Sequence, residues 1–111
     1  MASADNYPKL TIYPNGSKKW RLNDLTHRED GPAIEHKDGS KEWFVNGVFH
    51  REHGPAASYA NGQKLWFING KLHRTDGPAI EYPSGYKKYF LNNKEYSFQE
   101  WDRLRKMPWM L

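Results

Sequence analysis

Three histidine–arginine pairs, His27-Arg28, His50-Arg51 and His73-Arg74, recur at intervals of 23 residues, and each leads within five residues into Gly-Pro-Ala. Imidazoles in register invite a metal reading. Zinc holds its nitrogen ligands at about 2.0–2.1 Å, so the rings would have to converge. If each repeat adds at least two strands to a meander, equivalent positions stand at least about 9–10 Å apart. His27, His50 and His73 then cannot share one ion, and His50 with His53 is only a lone local pair. No metal and no cofactor is expected. The His-Arg-x-Asp unit also suggests acid–base work. However, an arginine and an aspartate two residues apart beside a Gly-Pro turn can hold that turn by charge-assisted hydrogen bonds. Three copies of one constellation point to structure, since an enzyme needs one site. The chain has no glycine-rich phosphate loop leading into a helix and no serine or cysteine nucleophile signature. It is read as a protein that binds and does not catalyse.

Charge and composition narrow the partner. Seventeen basic against thirteen acidic residues leave a net charge of +4, milder than the clustered excess of a dedicated nucleic-acid binder. Lys18, Lys41, Lys64 and Lys87 do form a column, and with Arg28, Arg51 and Arg74 they suggest a basic ridge. Interleaved with Phe44, Phe67 and Phe90, such a ridge would suit stacking and phosphate contact. The other reading is that these lysines guard sheet surfaces and edges against aggregation. Cysteine is absent, so no disulfide staples the fold, in keeping with a reducing compartment. No signal peptide and no apolar run of membrane-spanning length is visible, which makes a cytoplasmic protein the expectation.

The elements that must position these residues follow from the same period. Gly16, Gly39, Gly62 and Gly85 form one column, Trp20, Trp43, Trp66 and Tyr89 another, and Asn23, Asn46, Asn69 and Asn92 a third. Within one unit, Ala57 to Tyr59 reads as a strand, Asn61-Gly62 as a turn, Lys64 to Ile68 as a second strand and Asn69-Gly70 as a tight hairpin turn. Lys71 to Arg74 is a shorter third segment, ended by Asp76-Gly77-Pro78. Strand alternation puts Trp20, Trp43, Trp66 and Tyr89 on one face and Arg21, Phe44, Phe67 and Phe90 on the other. The tryptophan column is expected to be core. The phenylalanine column is either a second buried layer or an exposed binding stripe.

The period stops after Asn92. Ser97-Phe98-Gln99-Glu100 is a capping-box sequence. Phe98, Trp101 and Leu104 share one helical face, Arg103, Arg105 and Lys106 favour the helix C-terminus, and Pro108 ends it. Repeat arrays need an atypical terminal unit to cover the last open edge. The expected fold is therefore an all-β repeat of about four 23-residue β-hairpin or meander units with a short C-terminal capping α-helix. Residues 1–6 are expected to be disordered, 7–96 to form one repeat domain and 97–111 the helical cap.

The runs Leu25-Thr26-His27-Arg28-Glu29-Asp30-Gly31-Pro32-Ala33 and Leu72-His73-Arg74-Thr75-Asp76-Gly77-Pro78-Ala79 resemble repeats of small proteins from bacteriophages and large DNA viruses. The whole unit resembles a variant of the MORN-type β-hairpin repeat. The ending Glu95 to Trp101 is also similar to endings in that viral group. The resemblance spans roughly Tyr7 to Trp101. It departs at His53, where other copies have Asp30 and Asp76, and at the fourth copy, which lacks His-Arg. Any site shared by those residues would be incomplete there.

MORN-type repeats are associated with protein and lipid-headgroup interactions. The resemblance thus implies a viral binding module that engages a host protein, for instance to inhibit a host defence system such as CRISPR-Cas. The alternatives are a nucleic-acid or nucleotide binder using the lysine and arginine columns, and a structural or virion-associated repeat. For a protein partner, Phe44, Phe67 and Phe90 are the candidate anchors. Arg21, Arg28, Arg51 and Arg74 are the candidate hydrogen-bond donors, since aromatics and arginine dominate interface hot spots.

Overall fold

The computed structural model describes residues 6–110. The expectation of a disordered segment at 1–6 falls on residues 1–5, outside those described. The chain forms strands β1 (Lys9–Ile12), β2 (Lys18–Leu22), β3 (Leu25–Thr26), β4 (Ile34–Glu35), β5 (Lys41–Glu42), β6 (Phe44–Val45) and β7 (Val48–Phe49). These are followed by β8 (Ala57–Ser58), β9 (Lys64–Leu65), β10 (Phe67–Ile68), β11 (Lys71–Leu72), β12 (Ile80–Glu81), β13 (Lys87–Leu91) and β14 (Lys94–Tyr96). Helix α1 (Phe98–Leu104) and a 3-10 turn at Pro108–Met110 complete it. As the sequence indicated, the fold is antiparallel β with one short C-terminal helix. No helix among the described residues is long and apolar enough to cross a membrane.

One ten-stranded sheet runs the length of the molecule in the order β1-β2-β4-β5-β8-β9-β12-β13-β14, with β3 beside β2; β6-β7 and β10-β11 are separate hairpins. Pairing changes partner at each tryptophan. The Trp43 N–H donates to the Ala56 carbonyl, while the Trp43 carbonyl accepts from the His50 N–H; Trp20 and Trp66 do the same with Ala33 and His27, and with Ala79 and His73. The run Lys64–Ile68, read from sequence as one strand, is therefore two strands meeting at Trp66. Successive hairpins are stitched together by backbone bonds from Gly47 to Thr26, Arg28 to Phe44, Gly70 to Phe49 and Arg51 to Phe67.

The hairpin turns are those the sequence specifies. Asn46-Gly47 and Asn69-Gly70 have φ of 51° and 83°, and 50° and 79°, the two positive values that a two-residue turn matching the strand twist demands. Asn23-Asp24 and Asn92-Asn93 adopt the same conformation.

The molecule measures 49 × 35 × 17 Å, with a radius of gyration of 15.9 Å. A compact chain of this length would have about 13 Å. The tryptophan column is not the fully buried core expected of it. Trp20, Trp43 and Trp66 are only half-buried. The buried apolar residues are mostly small or terminal: Ala33, Ala56, Ala57, Ala79, Ile80, Leu91 and Trp101.

Helix α1 closes the far end. The Ser97 side chain accepts the Glu100 N–H, as the capping-box sequence implied. Trp101 is 3% exposed, lies 4.7 Å from the Tyr89 ring, and donates its indole N–H to the Arg74 carbonyl at 2.8 Å. Trp101→Ala should cost about 3–5 kcal/mol, the range for truncating a buried aromatic. The check is a urea titration against wild type; a loss below about 1 kcal/mol would show that α1 is not part of the folded unit.

Candidate functional site

The side chains that the sequence marks as chemical are assembled in the stretch joining β3 to β4, β7 to β8 and β11 to β12. Arg28, Arg51 and Arg74 each lay their guanidinium over the indole 8 residues earlier, with Cζ 3.9, 3.9 and 3.8 Å from the centroids of Trp20, Trp43 and Trp66. The stack is worth about 0.5–2 kcal/mol, depending on how far it is desolvated. From the other side the guanidinium lies against a glycine. A Cβ on Gly31, Gly54 or Gly77 would fall 2.7, 2.8 or 2.6 Å from the arginine Cζ. The glycine of Gly-Pro-Ala thus admits the arginine as well as making a turn. The same guanidinium donates to the carbonyl of the following proline, Pro32, Pro55 or Pro78, at 3.0–3.1 Å.

Carboxylates complete two of the three copies. Arg28 Nε donates to Asp30 and its Nη1 faces Glu35; Arg74 does the same with Asp76 and Glu81. Asp30 and Asp76 are almost fully exposed and contribute little through charge alone. Glu35 and Glu81 are about two-thirds covered. In the middle copy those positions hold His53 and Ser58. Burial lowers the pKa of Arg51, but an arginine stays protonated at any physiological pH.

The histidines are structural acceptors. Nδ1 of His27, His50 and His73 takes the backbone N–H of Asn46, Asn69 and Asn92 at 2.9, 2.9 and 3.0 Å. Each therefore satisfies the turn of the next hairpin with an unprotonated Nδ1. Burial lowers the pKa of His73. Among the described residues, no group of three or more His, Cys, Asp or Glu is placed to hold a metal. A separate polar trio joins His36 Nε2 and the Tyr59 hydroxyl to the two oxygens of Glu42, at 2.8 and 3.0 Å. Burial, and then Glu42, push the Tyr59 phenol up to about 12, so it stays a donor and not a nucleophile.

The residues proposed from sequence as one surface are divided by the sheet. Trp43 and Val45 line a cavity of about 470 Å³ with Arg28, His50, Arg51 and His53. Trp66 and Ile68 line a second of about 460 Å³ with Arg51, His53 and Arg74. Phe44 and Phe67 border neither, because alternation turns them to the opposite face. There Phe44, Phe49 and Phe67 form a half-buried ring ladder with centroids 4.2 and 4.7 Å apart. Phe90 is half-buried opposite the exposed Glu95. Arg21 occupies the phenylalanine position of the first copy, exposed and 3.5 Å from the Tyr13 hydroxyl. Sequence reasoning missed the apolar rim on the arginine face: Leu25 and Val48 are 46% and 44% exposed and pair across their hairpins with Leu22 and Val45. The signal was the column they share, one residue after each turn.

The lysine column is not a continuous basic ridge. Cross-strand pairing alternates it with acids, in the order Lys18, Glu35, Lys41, Ser58, Lys64, Glu81, Lys87. Directly opposed residues share a face, so each glutamate lies between two lysines, and Ser58 alone breaks the alternation.

No family model, no curated protein and no solved structure matches the chain.

Two outcomes follow from this geometry. Gly77→Ala should force Arg74 off Trp66 and destabilise by about 1–3 kcal/mol. In an Arg74→Ala background the same change should cost almost nothing, and a double-mutant cycle by urea denaturation reads the difference. For His73, the unfolded chain takes up a proton near about pH 6.5, and the folded chain only at lower pH. Its contribution is therefore fully present above that value and is lost as pH falls through it. The urea midpoint should drop between pH 7 and pH 5.5. His73→Asn, whose Oδ1 can keep accepting the Asn92 N–H, should flatten that slope.

Proposed function

We propose that the chain is a non-catalytic β-repeat binding module, and that its arginine and tryptophan face docks a protein. The observation that carries this is the pair of adjoining cavities floored by Trp43, Val45, Trp66 and Ile68, walled by Arg28, Arg51 and Arg74, and set beside exposed Leu25 and Val48. Apolar floor, ordered arginines and an apolar rim are the composition of a protein interface core. The alternation of lysine with glutamate favours a protein over a phosphate backbone, which needs unbroken positive charge. The resemblance to viral repeats makes a host protein the partner, and inhibition of a host defence system such as CRISPR-Cas the role.

The test immobilises the full chain, captures from a bacterial lysate, and then measures the purified captured protein against variants. Val48→Asp, with folding verified by circular dichroism, should weaken binding at least about tenfold. Phe67→Ala, on the opposite face, should change it less than about twofold per folded molecule. Equal binding by the Val48→Asp chain overturns the reading. So does capture of nucleic acid with an affinity that collapses as salt rises.

A further inference from the structure

Arg51 differs from its two equivalents in one respect that bears on a ligand. It is held in place as they are: the Trp43 ring lies at 3.9 Å, Gly54 gives way beneath it, and the Pro55 carbonyl accepts at 3.1 Å. Both carboxylates are missing, however. His53 stands where Asp30 and Asp76 stand, and Ser58 where Glu35 and Glu81 stand. The Pro55 carbonyl is the one hydrogen-bond acceptor that Arg51's guanidinium has among the described residues. The same substitution puts Ser58 between Lys41 and Lys64, each of which keeps one glutamate neighbour on its other side, Glu35 and Glu81 respectively. Of the three stacked arginines, Arg51 is thus the one whose guanidinium meets no carboxylate within the chain, where Arg28 and Arg74 each meet two. Arg51 also borders both cavities of the face.

We propose that Arg51 receives a carboxylate in trans: an aspartate or glutamate side chain of the protein partner takes the place that Asp30 and Glu35, or Asp76 and Glu81, fill within the chain. This rests on the reading of the partner as a protein. The guanidinium needs no ordering on binding, since the indole and the glycine already fix it, and preorganised donors lose least on association. A carboxylate matches the groups that this arginine position accepts in the neighbouring copies, and arginine binds it side-on through two parallel N–H donors. A polyanion is disfavoured because Glu29 and Glu52 line the same cavity and would repel each further charge.

The test needs no identified partner. The full chain, labelled with 15N-arginine, is titrated with a capped Gly-Glu-Gly peptide, the same peptide with glutamine, and one with phosphoserine at that position. The Nε–H resonance of Arg51 should shift saturably with the glutamate peptide and not with the glutamine one, while those of Arg28 and Arg74 stay in place. His53→Asp combined with Ser58→Glu supplies the acids in cis. It should abolish the response while leaving the melting temperature equal or higher. Asp76→His combined with Glu81→Ser should create a second response at Arg74. The proposal is overturned by a silent Arg51, by equal shifts at all three arginines, or by a response to phosphoserine without one to glutamate. Because these peptides report on Arg51 alone, their failure leaves the Val48→Asp result, and with it the protein-binding reading, standing.

Discussion

A molecule 17 Å thick has few places where a large ring can be fully buried. Here the solution is a guanidinium laid across each indole and seated on a glycine that has no Cβ to obstruct it. The arginine stem covers apolar surface while its head keeps the charge near water. Most other features of the unit serve this clamp. The proline carbonyl holds one end of the guanidinium. The histidine one residue earlier accepts the N–H of the next hairpin turn, so the segment that carries the arginine is also the segment that joins one copy to the next.

The fourth copy shows the same constraint met by other means. Tyr96 and Ser97 stand where His and Arg would stand, so no guanidinium is available to cover Tyr89. Trp101 covers it instead, with Phe98 edge-on at 5.3 Å, and Ser97 becomes the N-cap of the helix that delivers both rings. Trp101 then donates to the Arg74 carbonyl and Arg105 to the Thr75 carbonyl, which ties the cap to the last intact clamp. The helix is thus the replacement for a missing arginine as much as a cover for an open edge.

Much of this was legible in the sequence because it rests on local chemistry. Asn-Gly turns, the strand alternation and the Ser-x-x-Glu start of α1 each involve residues within a few positions of one another. What was not legible depended on thickness and on pairing across copies. Alternation alone makes an indole column read as core, and no local pattern shows that its cover is a guanidinium from across the hairpin. The pairing of Arg28 with Trp20 crosses a hairpin, and the facing of Lys41 with Glu35 on one side and Ser58 on the other depends on strand register. The lysine column therefore read as a ridge, although its partners make it an alternating ladder. The phenylalanines and Arg28, Arg51 and Arg74 likewise read as one surface, although strand alternation sends Phe44 away from Trp43.

In a slab 17 Å thick nearly every side chain is at once a packing element and a surface element. A binding surface on such a scaffold cannot be added beside the core; it has to be made by altering groups that already hold the core together. The cheapest group to alter is the one whose loss costs least. The exposed Asp30 and Asp76 contribute little to the guanidinium and the partly covered Glu35 and Glu81 reach only its Nη1, whereas the indole, the glycine and the proline carbonyl fix its position. Removing the acids from one copy frees the charge without loosening the clamp. His53 and Ser58 make that change in the middle of the array, where neighbours on both sides keep the altered unit in register. A repeat that loses these acids but keeps the indole, the glycine and the proline carbonyl retains the clamp, and it gains a charge that the fold itself no longer uses.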